Sequence, residues 1–151
     1  MIDVQFPEPQ FRTKREGEKT YIFDSIRKAW LLLTKEEWVR QNFVSYLIRT
    51  LHYPSAVVAL EKEIQLHERK KRFDILVYNQ AHQPWMLVEC KAPEVRLDEA
   101  VLQQVLRYNM SVPVEYIVIT NGNSTLAWHK REGHLQPLEE MPGWGKCKDR
   151  L

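Results

Sequence analysis

The sequence predicts an α/β (α+β) domain in which a mixed β-sheet is flanked by helices, with the elements in the order α-β-β-β-α-β-β. A helical period precedes three strand-like segments, and a second helical period separates these from two further strands. A length of 151 residues, of which 44% are hydrophobic, suits a single domain with one core. We therefore expect an N-terminal arm at residues 1–20, the domain itself at 21–130 and a C-terminal tail at 131–151.

The first helix has a recognisable start. Short apolar runs at residues 21–24 and 29–33 flank a polar break, which is typical of a strand pair or of a helical turn, and we favour strands. Thr34 followed by Glu37 matches the capping box, in which a hydroxyl and a carboxylate satisfy free backbone N–H groups. The helix is therefore expected to begin at Lys35 and to end at the His-Tyr-Pro sequence that follows it.

Alternation of apolar and polar residues then predicts a meander of three strands at 57–66, 73–78 and 85–91. The connection between the second and third of these strands is short, which requires antiparallel pairing. Apolar residues return to helical spacing at 97–110 and predict a helix that faces the core. Two further strands are predicted at 114–120 and 125–130, joined by a turn that contains Asn-Gly.

Composition bounds the class of protein. The chain has neither the long apolar run of a membrane span nor a secretory signal at its N-terminus, so we expect a cytoplasmic protein without a membrane partner. Cys90 and Cys147 have no neighbour at zinc-ligand spacing and are expected to be reduced thiols. No P-loop, dinucleotide-binding glycine motif or serine elbow is present. A net charge of +2 and a pI near 8.5 permit a nucleic-acid partner without requiring one.

Three charged residues stand within apolar strand sequence, namely Asp74, Glu89 and Lys91. If the second and third strands of the meander form a symmetric hairpin, the numbers of paired residues sum to 163, which places Asp74 opposite Glu89. Lys91 lies two positions after Glu89 and projects to the same face, whereas Cys90 points away. The same register pairs Arg72 with Lys91, Leu76 with Leu87 and Tyr78 with Trp85.

Two adjacent carboxylates and a lysine suit phosphodiester hydrolysis. Carboxylate oxygens hold Mg²⁺, which activates water, while a lysine orients the nucleophile or stabilises the transition state. The alternative is a salt-bridge cluster at a sheet edge with a purely structural role. A third carboxylate is available from the first helix, where Glu37 already serves the capping box and Glu36 lies on the stripe that faces the sheet. We take Glu36 as the better candidate ligand, although stabilisation of the helix dipole explains either residue.

Two other patterns are candidates for accessory roles. Gln104 and Tyr108 lie four residues apart, on one face of the second helix at the margin of its apolar stripe. A glutamine in such a position is more often a packing residue than a functional one. A basic run at residues 69–72 directly precedes a strand, and it is as typical of a solvated turn as of a nucleic-acid contact.

Taken together, these residues resemble the PD-(D/E)XK nuclease superfamily, in particular the N-terminal endonuclease domain of type I restriction enzyme R subunits. The resemblance covers roughly residues 20–130. The matching motifs are, in order, Glu36-Glu37-Trp38-Val39-Arg40-Gln41, Arg72-Phe73-Asp74, Glu89-Cys90-Lys91 and the Q-x-x-x-Y element from Gln104 to Tyr108. Phe73 stands where the family name has proline, a position that varies widely in the family.

The resemblance implies a restriction-endonuclease-like core in which Asp74 and Glu89 hold Mg²⁺, with Mn²⁺ as a substitute and Glu36 as a helix-borne contributor. It places Lys91 in the catalytic position. Accessory roles are implied for Gln104, Tyr108 and Glu37, and contacts with nucleic acid for Lys70, Lys71, Arg72 and Arg40.

The implied activity is Mg²⁺-dependent hydrolysis of DNA by an endonuclease-type domain. The implied partners are DNA and either other restriction-modification subunits or a separate motor protein, because R subunits carry an ATP-driven motor and this sequence contains no motor motif. The alternative is a catalytically inactive module with the nuclease fold that binds nucleic acid or protein.

Overall fold

The computed structural model describes residues 1–145, which contain two α-helices and nine strands. Helix α1 spans Lys35–Arg49 and helix α2 spans Glu99–Asn109. The strands are β1 (Thr13–Glu16), β2 (Lys19–Asp24), β3 (Ala29–Leu32), β4 (Val58–Leu66), β5 (Arg69–Tyr78), β6 (Pro84–Cys90), β7 (Tyr116–Thr120), β8 (Thr125–Arg131) and β9 (His134–Pro137). The predicted order α-β-β-β-α-β-β is confirmed from α1 to β8, and the favoured strand pair before α1 is present as β2 and β3.

Helix α1 begins at the predicted residue because its first turn is capped. The Thr34 hydroxyl accepts a hydrogen bond from the backbone N–H of Glu37 at 3.0 Å, which satisfies one free donor of the helix. The other half of the predicted capping box is wrong, since the Glu37 carboxylate accepts instead from Arg27, Arg40 and Gln41. Glu37 therefore belongs to a buried ion network.

Six strands form one mixed sheet in the order β4-β5-β6-β7-β8-β9, and β1, β2 and β3 form a second, antiparallel sheet. The β4-β5-β6 meander is antiparallel as predicted, whereas β6 runs parallel to β7 with α2 in the connection. Side chains of β5 alternate between two core clusters. Ile75 and Val77 pack in the cluster that contains Phe43 of α1, and Leu76 packs on the other face with Leu87.

The register between β5 and β6 is largely the predicted one. Ile75 pairs with Val88, Leu76 with Leu87 and Val77 with Met86. The ladder ends at Ile75 and Val88, one residue short of the predicted pair of Asp74 with Glu89, and two other predicted pairs are wrong. Tyr78 pairs with Pro84 rather than Trp85 because the register shifts after Val77, and the backbone of Lys91 donates to Thr120 of β7 at 2.8 Å rather than pairing with Arg72.

Three segments differ from their predicted structure. Strand β1 lies in the segment that we expected to be an arm, and β9 lies in the expected tail. Strand β5 begins at Arg69, so the basic run at residues 69–72 is extended strand rather than a turn. Cys90 is a buried, free thiol whose pKa burial raises well above its ordinary value, and Cys147 lies outside the described residues. Within residues 1–145, neither helix is long and apolar enough to cross a membrane.

Candidate functional site

Charged side chains gather where the pairing of β5 with β6 ends, next to Ile75 and Val88. Asp74 receives hydrogen bonds there on both carboxylate oxygens. Its Oδ2 accepts from the backbone N–H of Cys90 at 2.8 Å, and its Oδ1 accepts from Nη2 of Arg40 at 2.9 Å. These bonds hold the carboxylate at the end of the ladder, where a strand partner would otherwise take the N–H of Cys90.

Glu89 lies beside Asp74, and its acidity reflects that proximity. Burial, followed by the charge of Asp74, raises the pKa of Glu89 to about 7, and a side-chain hydrogen bond with Asp74 adds to the shift. The charge of Lys91 acts in the opposite direction. The side chains of these three residues are therefore close enough to influence one another electrostatically.

Glu89 and Lys91 face a cavity of about 290 Å³ that opens against α2. Its lining includes Arg72, Gln104 and Tyr108, together with the apolar side chains of Val101 and Val105. Tyr108 is 56% exposed and is one of the residues that line this cavity. The structure thus brings the two α2 residues of the Q-x-x-x-Y element to the same space as the carboxylate and lysine of β6.

Arg40 occupies the centre of the charged cluster. Its guanidinium contacts the carboxylates of four residues, at 3.3 Å for Glu36, 2.9 Å for Glu37, 2.8 Å for Glu61 and 2.9 Å for Asp74. Arg40 is only 6% exposed. This burial does not fit the contact with nucleic acid that the sequence suggested, because four carboxylates already contact the guanidinium. It fits a residue that positions Asp74.

Glu61 is a member of the site that the sequence analysis missed. It stands across from Asp74 at a break in the β4-β5 ladder, between the pairs Leu60 with Ile75 and Lys62 with Phe73. Its φ of +52° is uncommon for a residue with a side chain and marks a locally strained backbone. The register places Glu61 beside Asp74 because the turn between β4 and β5 lies at His67 and Glu68, whereas the sequence predicted that the second strand would begin only at residue 73.

The carboxylate of Glu61 joins two arginines. Its Oε1 lies 2.8 Å from Arg40, and its Oε2 lies 2.8 Å from Nε of Arg72. The Arg72 side chain is 68% exposed, so it remains open to solvent at the edge of the cavity. Glu61 thereby links the buried Arg40, which positions Asp74, with the exposed Arg72.

Glu36 and Glu37 have different surroundings. Glu37 is 6% exposed and bonded within the ion network, whereas Glu36 is partly exposed and interacts with Asp74 and Lys91. Burial, and next the charge of Asp74, raises the pKa of Glu36. Glu36 is therefore the helix-borne carboxylate that faces the site.

The donor set fits a divalent cation at Asp74 and Glu89. Hard carboxylate oxygens are the ligands that Mg²⁺ prefers, and a cation would relieve the repulsion that raises the pKa of Glu89. Among residues 1–145, however, no three side chains of His, Cys, Asp or Glu converge closely enough to form a metal cluster. In this geometry Glu36 does not complete a three-carboxylate set.

The basic run at residues 69–72 contains both a buried and an exposed lysine. Lys71 is 7% exposed, its Nζ donates to the carbonyl of Tyr108, and it lies 4.2 Å from the centre of the Tyr108 ring. Lys71 therefore caps the C-terminal end of α2 and does not fit the expected contact with nucleic acid. Lys70 is exposed, and its side chain remains accessible to an external anion.

Comparison with known proteins places the chain in a family. A family model described as "Type I restriction enzyme R protein N terminus (HSDR_N)" matches residues 35–142. The search of curated proteins gave no significant match.

Two solved structures are similar. One is a fragment described as an HsdR subunit of a type I restriction enzyme from Vibrio vulnificus YJ016, with 18% identity and a TM-score of 0.55 over 78% of this chain. The chain spans 25% of that structure's length. The other is described as a nuclease of the DUF820 group from Anabaena variabilis ATCC 29413, with 9% identity, a TM-score of 0.49 and coverage of 90% of this chain and 93% of the other.

The fold and the family match define a nuclease-type domain with a restriction-endonuclease-like fold. The chain belongs to the family of type I restriction enzyme R protein N termini.

Proposed function

We propose that this domain hydrolyses phosphodiester bonds of DNA with Mg²⁺, in the manner of an endonuclease. The observation that carries the proposal is that Glu89 and Lys91 face an open cavity while the carboxylate of Asp74 is close enough to Glu89 to raise its pKa. Bound Mg²⁺ would supply an activated water and neutralise charge on the phosphate oxygens. Asp74 and Glu89 would hold the cation, with Mn²⁺ as a substitute.

The chain's own residues supply the remaining functions. The ammonium of Lys91 is placed to orient the attacking water or to stabilise negative charge that develops on the phosphate. Arg40 fixes the Asp74 carboxylate from the helix side at 2.9 Å. Gln104 and Tyr108 line the same cavity and are placed to contact the substrate, while Arg72 and Lys70 offer exposed charges for the DNA backbone.

Purified protein should be incubated with plasmid and linear DNA in Mg²⁺, in Mn²⁺ and in chelator. We expect cleavage that requires metal and falls by at least about 100-fold in Asp74→Asn and in Lys91→Ala. Lys62→Ala is the matched control, because Lys62 is an exposed β4 lysine outside the cavity. Cleavage that persists in both site variants would refute the assignment.

A second candidate function is a module that retains the nuclease fold and binds nucleic acid or protein without catalysis. The observation in its favour is that Arg40 already neutralises Asp74, while no three ligand side chains among the described residues converge. This function predicts DNA binding that is sensitive to salt and unaffected by chelator. Metal-dependent turnover would exclude it.

The biological setting that we propose is restriction-modification in the cytoplasm. The domain would act on DNA together with other restriction-modification subunits or with a separate motor protein. Copurification with a motor subunit, tested from the native host, is the measurement that addresses this setting.

A further inference from the structure

The outward face of the β1-β2-β3 sheet combines aromatic and basic side chains. Phe23 pairs with Trp30, so the two rings share one face, and their centres lie 5.3 Å apart. Arg12 lies 4.9 Å from the centre of the Phe23 ring and 5.4 Å from that of Trp30, and Lys14 lies 4.5 Å from the centre of the Trp30 ring. We name Arg12, Lys14, Phe23 and Trp30 the basic-aromatic face.

The opposite side of the same sheet is different in character. Ile22 and Asp24 alternate with Phe23 along β2, and both are fully buried. The basic-aromatic face is thus the solvent side, where partly exposed rings have no role in the core clusters of the described residues. Partly exposed rings present a π-face on which cations or planar groups can stack.

Charge is concentrated around this face. Residues 12–35 contain seven lysines and arginines against three acidic residues, although the whole chain carries a net charge of only +2. The remainder of the sequence is therefore slightly acidic, and the segment that bears the rings is basic. The basic side chains complement a polyanion, and the rings complement planar groups on the same ligand.

An apolar groove of about 240 Å³ adjoins the face. Arg12 and Phe23 form one side of the groove, and Val44, Ile48 and Arg49 of α1 form the other. A volume of about 240 Å³ is large enough to hold a planar base, and Arg12, Arg49 and the Phe23 ring all line it. Aromatic rings for stacking and a cationic border for phosphates are the two components of a surface that binds single-stranded nucleic acid.

A buried ion chain connects this sheet with the carboxylate site. Asp24 at the end of β2 pairs with Arg27, Arg27 contacts Glu37 at 3.1 Å, and Glu37 contacts Arg40, which bonds to Asp74. The sheet is therefore anchored to the same arginine that positions Asp74. A nucleic-acid strand bound to this sheet would therefore lie at a fixed position relative to the carboxylate site.

We propose that the basic-aromatic face binds single-stranded DNA, with bases stacked on Trp30 and Phe23 and phosphates on Arg12 and Lys14. The choice of DNA rests on the proposed function, but binding at this face requires neither metal nor catalysis. The face lies before the residues that the family model matches, so membership of the family does not account for it.

Binding should be measured with the full chain in chelator, by fluorescence anisotropy of labelled oligo-dT, with a duplex of equal length as competitor. We expect Arg12→Ala/Lys14→Ala to weaken binding at least tenfold and to lower the slope of log K against log salt by about 1.4, which corresponds to two lost phosphate contacts. We expect Trp30→Ala to weaken oligo-dT binding by about tenfold and Trp30→Phe to restore most of it, because stacking needs a ring.

Lys62→Ala/Arg131→Ala is the matched control, since it removes the same charge from exposed positions on β4 and β8. Far-ultraviolet circular dichroism checks that each variant is folded, and the Arg12/Lys14 variant keeps the test decisive if Trp30→Ala fails to fold. Equal losses in the control and the Arg12/Lys14 variant would overturn the proposal, as would duplex competing as well as oligo-dT. Asp74→Asn should bind oligo-dT normally, so loss of cleavage and loss of this binding are separable.

Discussion

Arg40 on α1 bonds to Asp74 on β5 at 2.9 Å, and the arginine that does so is only 6% exposed. The same guanidinium contacts Glu37 at 2.9 Å and Glu61 at 2.8 Å. This ion pair fixes the helix to the strand at the end of the β5-β6 ladder. The position of Asp74 therefore depends on a residue that does not reach the cavity.

The first prediction concerns stability. Arg40→Met should lower the free energy of unfolding by about 3–5 kcal/mol, because it removes the buried cation that contacts Asp74 and Glu37. Urea denaturation followed by circular dichroism measures this change. Arg72→Met is the matched control, since Arg72 also contacts Glu61 but its side chain is 68% exposed, and its loss should cost less than about 1 kcal/mol. Similar losses in the two variants would contradict the positioning role.

The second prediction concerns pH. The pKa of Glu89 is raised to about 7 in the fold, above the value of 4.5 expected when the chain is unfolded, so folding favours the protonated form. Its contribution to stability is complete below pH 4.5 and is lost as the pH rises to about 7. We therefore expect the difference in melting temperature between Glu89→Gln and the parent protein, measured in chelator, to increase by about 3–6 °C from pH 5 to pH 8 in favour of the variant. A constant difference between the two proteins across that range would refute the assignment.

The third prediction separates Glu36 from Glu37. Glu37→Gln should lower stability by about 1.5–3 kcal/mol, because a buried charged acceptor of three side chains is removed. Glu36→Gln should change stability by less than about 0.5 kcal/mol and, if the domain is active, should reduce the cleavage rate. Denaturation and cleavage assays on both variants test the pair. The reverse pattern would show that Glu37 is the functional carboxylate.

The fourth prediction uses two neighbouring lysines of β5. Lys71→Met should lower stability by about 1–2 kcal/mol, because its ammonium donates to the carbonyl of Tyr108 at the C-terminal end of α2. Lys70→Met, at an exposed position on the same strand, should stay within about 0.5 kcal/mol of the parent protein and should reduce affinity for DNA more than Lys71→Met does. If Lys71→Met were as stable as Lys70→Met and weakened DNA binding more, the capping role of Lys71 would be wrong.

Hairpin geometry explains how much of the site the sequence could predict. Asp74 and Glu89 could be brought together because a short connection and strict alternation leave little freedom of register. Lys91 could be assigned to the same face as Glu89 because side chains two residues apart in a strand point to the same side. Glu61 escaped because its position opposite Asp74 depends on where the turn between β4 and β5 lies, and β5 begins at Arg69 rather than at the predicted residue 73. Arg40 could be placed on a helix, but its burial depends on where α1 packs, which no local pattern contains.

The elements that were missed have few buried residues. Strand β1 is exposed along its whole length, and β9 has a single partly buried residue, so neither shows the alternation that identifies a strand with one buried face. Their pairing partners, β2 and β8, stabilise them. The central strands were predictable for the opposite reason, since their buried residues give them the apolar pattern by which strands are recognised.

The parallel pairing of β6 with β7 has a consequence for how the site is divided along the chain. Residues 84–120 carry Glu89, Lys91, Gln104 and Tyr108 in one strand-helix-strand crossover, whereas Asp74 and its arginine come from outside it. Transplanting this crossover into another sheet would therefore carry half of a composite site, a cavity with its lysine but without the means to hold the second carboxylate. Part of the site therefore lies within one continuous segment of the chain, whereas the other part depends on the whole fold.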